Sequence, residues 1–185
     1  MAPGAARAGV DAVMVTLILA HLVTAVAAPA LVRVLGHRAF WAAAVVPLLS
    51  FGWLVGQAPL ILGGGVLLEN HPWIPGLGVT LSFRVGLLQW LLALIVTGIG
   101  ALVLGYCRWY FDGKKAGVGQ FAGVLLGFAG AMYGLVLIDD IVLLVMLWEV
   151  TSVLSYLLIG YYHRRGASRR AALQALLVTT LVGLV

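Results

Sequence analysis

The sequence predicts an all-α protein, a polytopic bundle of transmembrane helices with about five complete spans and a truncated sixth. Composition is the first reason: 63% of the 185 residues are hydrophobic and 9% are charged, and the mean hydropathy is +1.13, which excludes an ordinary soluble domain. The length of the apolar runs is the second. A hydrocarbon core of about 30 Å takes about 20 apolar residues to cross as a helix, whereas a barrel uses short alternating segments, and the runs here have the helical length. The third is that most charges lie in the connections between runs.

The first span is expected over Val10–Val32, with Asp11 near its start and Pro29 near its end, followed by Arg33, His37 and Arg38. No strongly basic leader precedes it and the run outlasts a signal-peptide core, so it reads as a retained span. The second covers Ala39–Leu62, where Pro47 removes one backbone hydrogen bond and is expected to kink the helix. Residues 63–84, GGGVLLENHPWIPGLGVTLSFR, combine glycines, prolines and an alternating VTLSF, the pattern of an extended or hairpin loop at the membrane surface.

The third span is expected over Val85–Cys107, the fourth over Phe121–Ile138 and the fifth from Ile141 to near Tyr161. Arg108, Lys114 and Lys115 outweigh Asp112 after the third, and Asp139 and Asp140 form a tight turn before the fifth, where acidic residues suit a helix start. Arg164, Arg165, Arg169 and Arg170 follow the fifth. The sixth, Ala171–Val185, spans about 22 Å at 1.5 Å per residue and falls short of a crossing, so the chain is expected to be a fragment, a truncated frame or a chain with a half-inserted last helix. Three regions result: 1–62, the first two helices; 63–84, an external loop; and 85–185, the start of a longer helical domain.

Basic residues gather in connections one, three and five, while the others carry Glu69 and His71, with Arg84 at the membrane edge, and then Asp139 and Asp140. By the positive-inside rule the N-terminus and the long loop are outside and the arginine cluster is cytoplasmic. Trp41, Trp73, Trp109, Tyr110, Tyr161 and Tyr162 fall near the expected interfaces. The net charge of +5 thus reports topology in a multi-pass plasma-membrane protein, not nucleic-acid binding. Cys107 is the only cysteine, which excludes an intrachain disulfide and a cysteine metal site. No phosphate-binding glycine loop, HExxH or GxSxG occurs, so no cofactor or metal is expected. His21 has no second ligand at helical spacing and reads as a packed or hydrogen-bonded histidine.

Glu149 breaks the pattern, standing near the middle of IVLLVMLWEVTSVLSYLLIG, Ile141–Gly160. A carboxyl group at bilayer depth costs roughly 2.5–3.5 kcal/mol on insertion scales, so such groups are usually paired, hydrated or functional. Positions three and seven further on share its helical face, which brings Ser152 and Tyr156 alongside, with His163 roughly in line. Glu149, Ser152, Tyr156 and His163 are therefore the candidate residues for proton translocation toward the cytoplasmic edge. The alternative is that Ser152 and Tyr156 bond within or between helices and His163 is a polar flank.

The stretch LVLIDDIVLLVMLWEVTSVLSYLLIGYYHRR, Leu135–Arg165, resembles the proton-translocating antiporter-like family, which comprises the large A-type subunit of Mrp multisubunit cation/proton antiporters and chain 5, or L, of respiratory complex I (NADH:quinone oxidoreductase). Its core is WEVTSVLSYLLIGYY, Trp148–Tyr162. HPWIPGLGVTLSFRVGLL, His71–Leu88, resembles that family's outer loop leading into the third helix, and ALQALLVTTLVG, Ala172–Gly183, its sixth helix. The stretch GYYHRRGASRRAALQALLVTT is more similar to the Mrp branch. The resemblance implies a transporter subunit, or a translocase if complex I-like, that moves protons and Na+ or K+ beside other membrane subunits. It makes Glu149 the family's essential glutamate, coupled to a lysine on a later helix beyond Val185. A chain that only packs against a transporter, without conducting, is the alternative.

Overall fold

The computed structural model describes residues 7–9, 12–74, 76, 79–111, 117–162 and 166–183. Asp11, Asp112, Lys114, Lys115, His163, Arg164 and Arg165 lie outside the described residues. Helices dominate: α1 (Val13–Leu35), α2 (Ala39–Gly56), a one-turn α3 (Ala58–Leu62), α4 (Leu87–Tyr110), α5 (Val118–Leu137), α6 (Ile141–Ile159) and α7 (Gly166–Gly183). Strands β1 (Arg7–Gly9), β2 (Val66–Ile74) and β3 (Val79–Val85) form a small sheet in the order β1-β2-β3.

Among the described residues, four helical stretches are long and apolar enough to cross a membrane: Val13–Gly56, Leu87–Tyr110, Val118–Leu137 and Ile141–Tyr162. The first holds two crossings, because the chain turns at Gly36–Arg38. Gly36 makes that turn at φ 58°, a left-handed conformation that costs glycine little. α2 therefore returns along α1, so the described residues hold five long apolar helices, and the chain is a multi-pass membrane protein. α2 continues through the buried Pro47, and its end is set ten residues later at Gln57, before α3 opens at Ala58 with Pro59 in its first turn. α7 starts at Gly166, five residues ahead of the expected Ala171. Its first turn is anchored where Ser168 Oγ donates to the Ile159 carbonyl at 2.7 Å, so Arg169 and Arg170 sit within the helix.

The expected hairpin is β2 against β3. They are antiparallel, pairing Leu67 with Val85, Glu69 with Phe83 and His71 with Leu81, with an irregularity between Pro72 and Ile74. β1 adds in parallel, Arg7 opposite Val66. Alternation along β2 turns Leu67 and Glu69 inward, while Asn70 is exposed. The sheet sits over the N-terminal end of α1 and the C-terminal end of α5, where the Asp139 amide donates to the Ser82 carbonyl at 2.8 Å.

α5 is the central helix, contacted by α1, α4 and α6. Its glycines form the seam with α1: a Cβ at Gly123 would lie 2.5 Å from the Ala25 carbonyl oxygen, and one at Gly130 would lie 2.5 Å from the His21 Cβ. In lipid, where apolar surface gives little drive to association, such small residues let backbones approach and gain dispersion contacts. Apolar packing falls into two layers. One, near the hairpin, joins Met14, Ile18, Leu54, Leu67, Phe83, Trp90, Tyr133 and Leu137. The other, near Arg33 and Arg108, joins Ala28, Phe40, Leu104, Phe111, Val118 and Leu126.

Candidate ion-translocation site

α6 begins at Asp140, whose Oδ1 accepts from the amides of Val142 at 2.9 Å and Leu143 at 3.0 Å. This is the expected acidic helix start, made by an N-cap that satisfies two amides which have no partner inside the helix. Two turns on, Glu149 is half-buried. It has no hydrogen bond or ion pair among the described residues, and Val145, Met146 and Val153, one turn away on either side, are exposed.

Ser152 is buried, and its Oγ donates to the Trp148 carbonyl at 3.1 Å. Thr151 Oγ1 donates to the same carbonyl at 2.7 Å. Both hydroxyls thus bond back onto their own helix, a common resolution for serine and threonine at bilayer depth. Tyr156 lines a groove of about 510 Å3 between α5, α6 and α7, with Gln120, Phe121, Tyr161, Arg169 and Ala172 among the other lining residues. The backbone of α6 keeps Glu149, Ser152 and Tyr156 on one side, as their spacing requires. No hydrogen bond among the described residues joins the three. α7 is held to α6 by Trp148, whose Nε1 donates to the Thr179 carbonyl at 3.4 Å.

A second polar group, less legible in the sequence, lies at the hairpin. Glu69 is only 2% exposed. Its Oε2 accepts from the Met14 amide at 2.7 Å and its Oε1 from the Val15 amide at 3.0 Å, while His71 Nε2 lies 2.9 Å from Oε1. Ala12 stands at the start of α1 with φ 54° and no capping side chain. The carboxylate from the hairpin supplies the cap instead, at the positive end of the helix dipole. The only local signal in the sequence is an acid beside a histidine in a loop, and nothing there points to a partner 55 residues away. His21 is fully buried, as its packed reading expects, and its Nδ1 lies 2.8 Å from the Leu17 carbonyl oxygen. Among the described residues no group of histidine, cysteine, aspartate and glutamate could hold a metal ion.

No family model matches the chain. Curated relatives do. The chain is 38% identical over 144 residues to the A/B subunit of a probable K+/H+ antiporter of Rhizobium meliloti, covering 78% of the chain and 14% of the relative. It is 40% identical over 144 residues to the A-type subunit of a Na+/H+ antiporter of Bacillus subtilis, covering 78% and 18%. Against the Mrp complex from Dietzia sp. DQ12-45-1b the fold superposes with a TM-score of 0.78 at 32% identity, over 92% of this chain and 18% of that one. An archaeal membrane-bound sulfane sulfur reductase shares the fold alone, with a TM-score of 0.69 at 17% identity. The chain thus spans less than a fifth of the length of these antiporter relatives. In sequence over most of its length and in fold, it belongs with the A-type subunits of Mrp cation/proton antiporters, as a relative of one segment of them.

Proposed function

We propose that the chain forms part of the ion-translocating membrane subunit of a multisubunit cation/proton antiporter, and that Glu149 binds and releases the proton in transit. One observation carries the reading: in a segment related to the large antiporter subunits, a half-buried carboxyl group stands mid-helix among apolar side chains, with no partner among the described residues. A group held in that setting is ready to be neutralised by a proton or by an approaching cation, and moving the cation would load or release the proton.

Tyr156 and the groove beside it extend the route toward the basic end of the bundle, and Ser152 Oγ, which donates to the Trp148 carbonyl, keeps its capacity to accept a hydrogen bond. His163 is assigned the last step on its sequence position alone. The lysines of this sequence, Lys114 and Lys115, belong to the connection after α4, so the cation that the resemblance pairs with Glu149 comes from another part of the assembly. The basic ends of α1, α4 and α7 face the cytoplasm and the hairpin faces outward across the plasma membrane. Sodium or potassium is the exchanged cation, as the names of the relatives have it for those proteins, and other membrane subunits flank the chain.

The test is Glu149→Gln in the complete protein, assembled with its partners and assayed in inverted membrane vesicles for cation-driven collapse of a pH gradient. Loss of exchange of about 100-fold, the scale of a lost acid-base group, is expected with assembly intact. Unchanged exchange sinks the proton-site reading and leaves a structural role for the chain.

A further inference from the structure

Two fully buried polar atoms lie between α1 and α5, away from the Glu149 site. His21 and Tyr133 are each 0% exposed, and neither His21 Nε2 nor the Tyr133 hydroxyl has a hydrogen-bond partner among the described residues. Their rings stack with centroids 5.7 Å apart. The roles of the two atoms are complementary. The Leu17 carbonyl can only accept, so the imidazole hydrogen belongs on Nδ1. Nε2 is then an acceptor, and the tyrosine hydroxyl is a donor.

Their place in the fold gives this pair an access route. Tyr133 lies one turn from the hairpin end of α5, in the same packed cluster as Met14, whose amide donates to Glu69. Glu69 in turn contacts His71, whose side chain is 33% exposed. His21 sits two turns below the first turn of α1, about 10 Å deeper than Met14 at 1.5 Å per residue. The helices packed on α1 are α5 and α2. Between them these carry one titratable side chain, Tyr133, so Tyr133 and, at the hairpin, Glu69 and His71 are the groups that face His21. The close approach at Gly130, where even a methyl group would lie 2.5 Å from the His21 Cβ, holds the imidazole against the phenol.

We propose that Tyr133 and His21 form a buried proton-relay station, reached from the hairpin surface through His71 and Glu69. A proton arrives on the Tyr133 oxygen from the Glu69 side, over water. The original phenolic O–H breaks and its proton passes to His21 Nε2, directly or over one bridging water. One O–H is re-formed, one N–H is made, and the charge ends on the imidazolium. Return of the proton reverses the same bonds. The inference rests on the antiporter reading and gives it a route on the hairpin side of the bundle.

The experiment uses the complete assembly in inverted vesicles, comparing Tyr133→Phe, His21→Gln and the double variant for initial exchange rate across pH, with Glu149→Gln alongside. A relay predicts that each single variant loses about tenfold in rate and displaces the pH profile, and that the double variant is no slower than the worse single one. Wild-type rate and pH profile in Tyr133→Phe overturn the inference, as do losses that multiply in the double variant. Lower assembly with an unmoved pH profile marks a purely structural role and overturns it too. If His21→Gln fails to assemble, Tyr133→Phe decides alone, since it deletes one oxygen and keeps the ring. Wild-type exchange in both relay variants beside an inactive Glu149→Gln removes only this relay, whereas an active Glu149→Gln removes the Glu149 proton-site reading and leaves the relay to be decided by its own variants.

Discussion

Replacing Glu69 with alanine tests whether the hairpin clamps the first helix. The carboxylate is 2% exposed and accepts the amides of Met14 and Val15 at 2.7 and 3.0 Å. A hydrogen bond to a charged group contributes about 1.5–3 kcal/mol, so two of them set an upper figure of about 6 kcal/mol. Water reaches this end of the bundle beside the part-exposed His71 and satisfies some of the orphaned amides, which brings the expected cost to about 3 kcal/mol. Hydrogen exchange read by mass spectrometry on the peptide containing Met14 and Val15 should show about 100-fold lower protection, at 1.4 kcal/mol per factor of ten. Glu69→Gln keeps one accepting oxygen and is expected to fall between. Protection of the first turn of α1 within threefold of wild type in Glu69→Ala would refute the clamp, because among the described residues no other side chain caps that turn and Ala12 has no side-chain acceptor.

Gly123→Leu drives a side chain into the Ala25 carbonyl across the α1–α5 seam, and the resulting overpacking should cost about 1–3 kcal/mol; a midpoint of detergent-induced unfolding equal to wild type would contradict the seam. Asp140→Ala removes the two N-terminal bonds of α6 for about 1 kcal/mol, with Asp140→Asn nearly neutral, both measurable by the same unfolding assay. A spin label at Val153 in the assembled complex should avoid the lipid signature; high access to oxygen with low access to a water-soluble nickel relaxant would sink that expectation.

The five spans are legible because each is a long apolar run closed by charges, and the hairpin because VTLSF alternates between two prolines and a helix start. Asp140 is legible because an N-cap is local, its bonds reaching only two and three residues ahead. What escapes is what depends on distant chain. Glu69 looks like an ordinary loop acid until the fold brings it over α1. The spacing Gly123, Gly127 and Gly130 recurs by chance in any glycine-rich helix, and only the facing Ala25 and His21 make it a seam. The start of α7 comes earlier than the charge pattern implies, because arginines that look like the end of a connection, Arg169 and Arg170, are exposed on the first turns of a helix whose remainder packs along α6. The polar stripe of α6 is right in its helical phase, but phase does not tell where a hydroxyl points. Ser152 turns back to the Trp148 carbonyl.

The setting of Glu149 follows from how unequally the helices are packed. α5 is closed in by its neighbours, with residues such as Leu126, Tyr133 and Leu137 at 0% exposure. α6 buries Leu143, Thr151 and Ser152 but leaves Ile141, Val142, Val145, Met146, Val150, Val153 and Leu157 exposed. Glu149 therefore lies at the margin of the bundle, where its own chain meets whatever comes next. If lipid met it there, the carboxylate would cost about 2.5–3.5 kcal/mol. Its short stem could not lift it to the interface, since Tyr161 is about 12 residues, or about 18 Å of helix, away. Protonation or a cation from a neighbouring helix removes most of that cost, and each gives the position a charge state that depends on what lies beside it. Under the proposed function, the same marginal position that makes the glutamate stand out in the sequence places its proton under the control of a partner from the rest of an assembly.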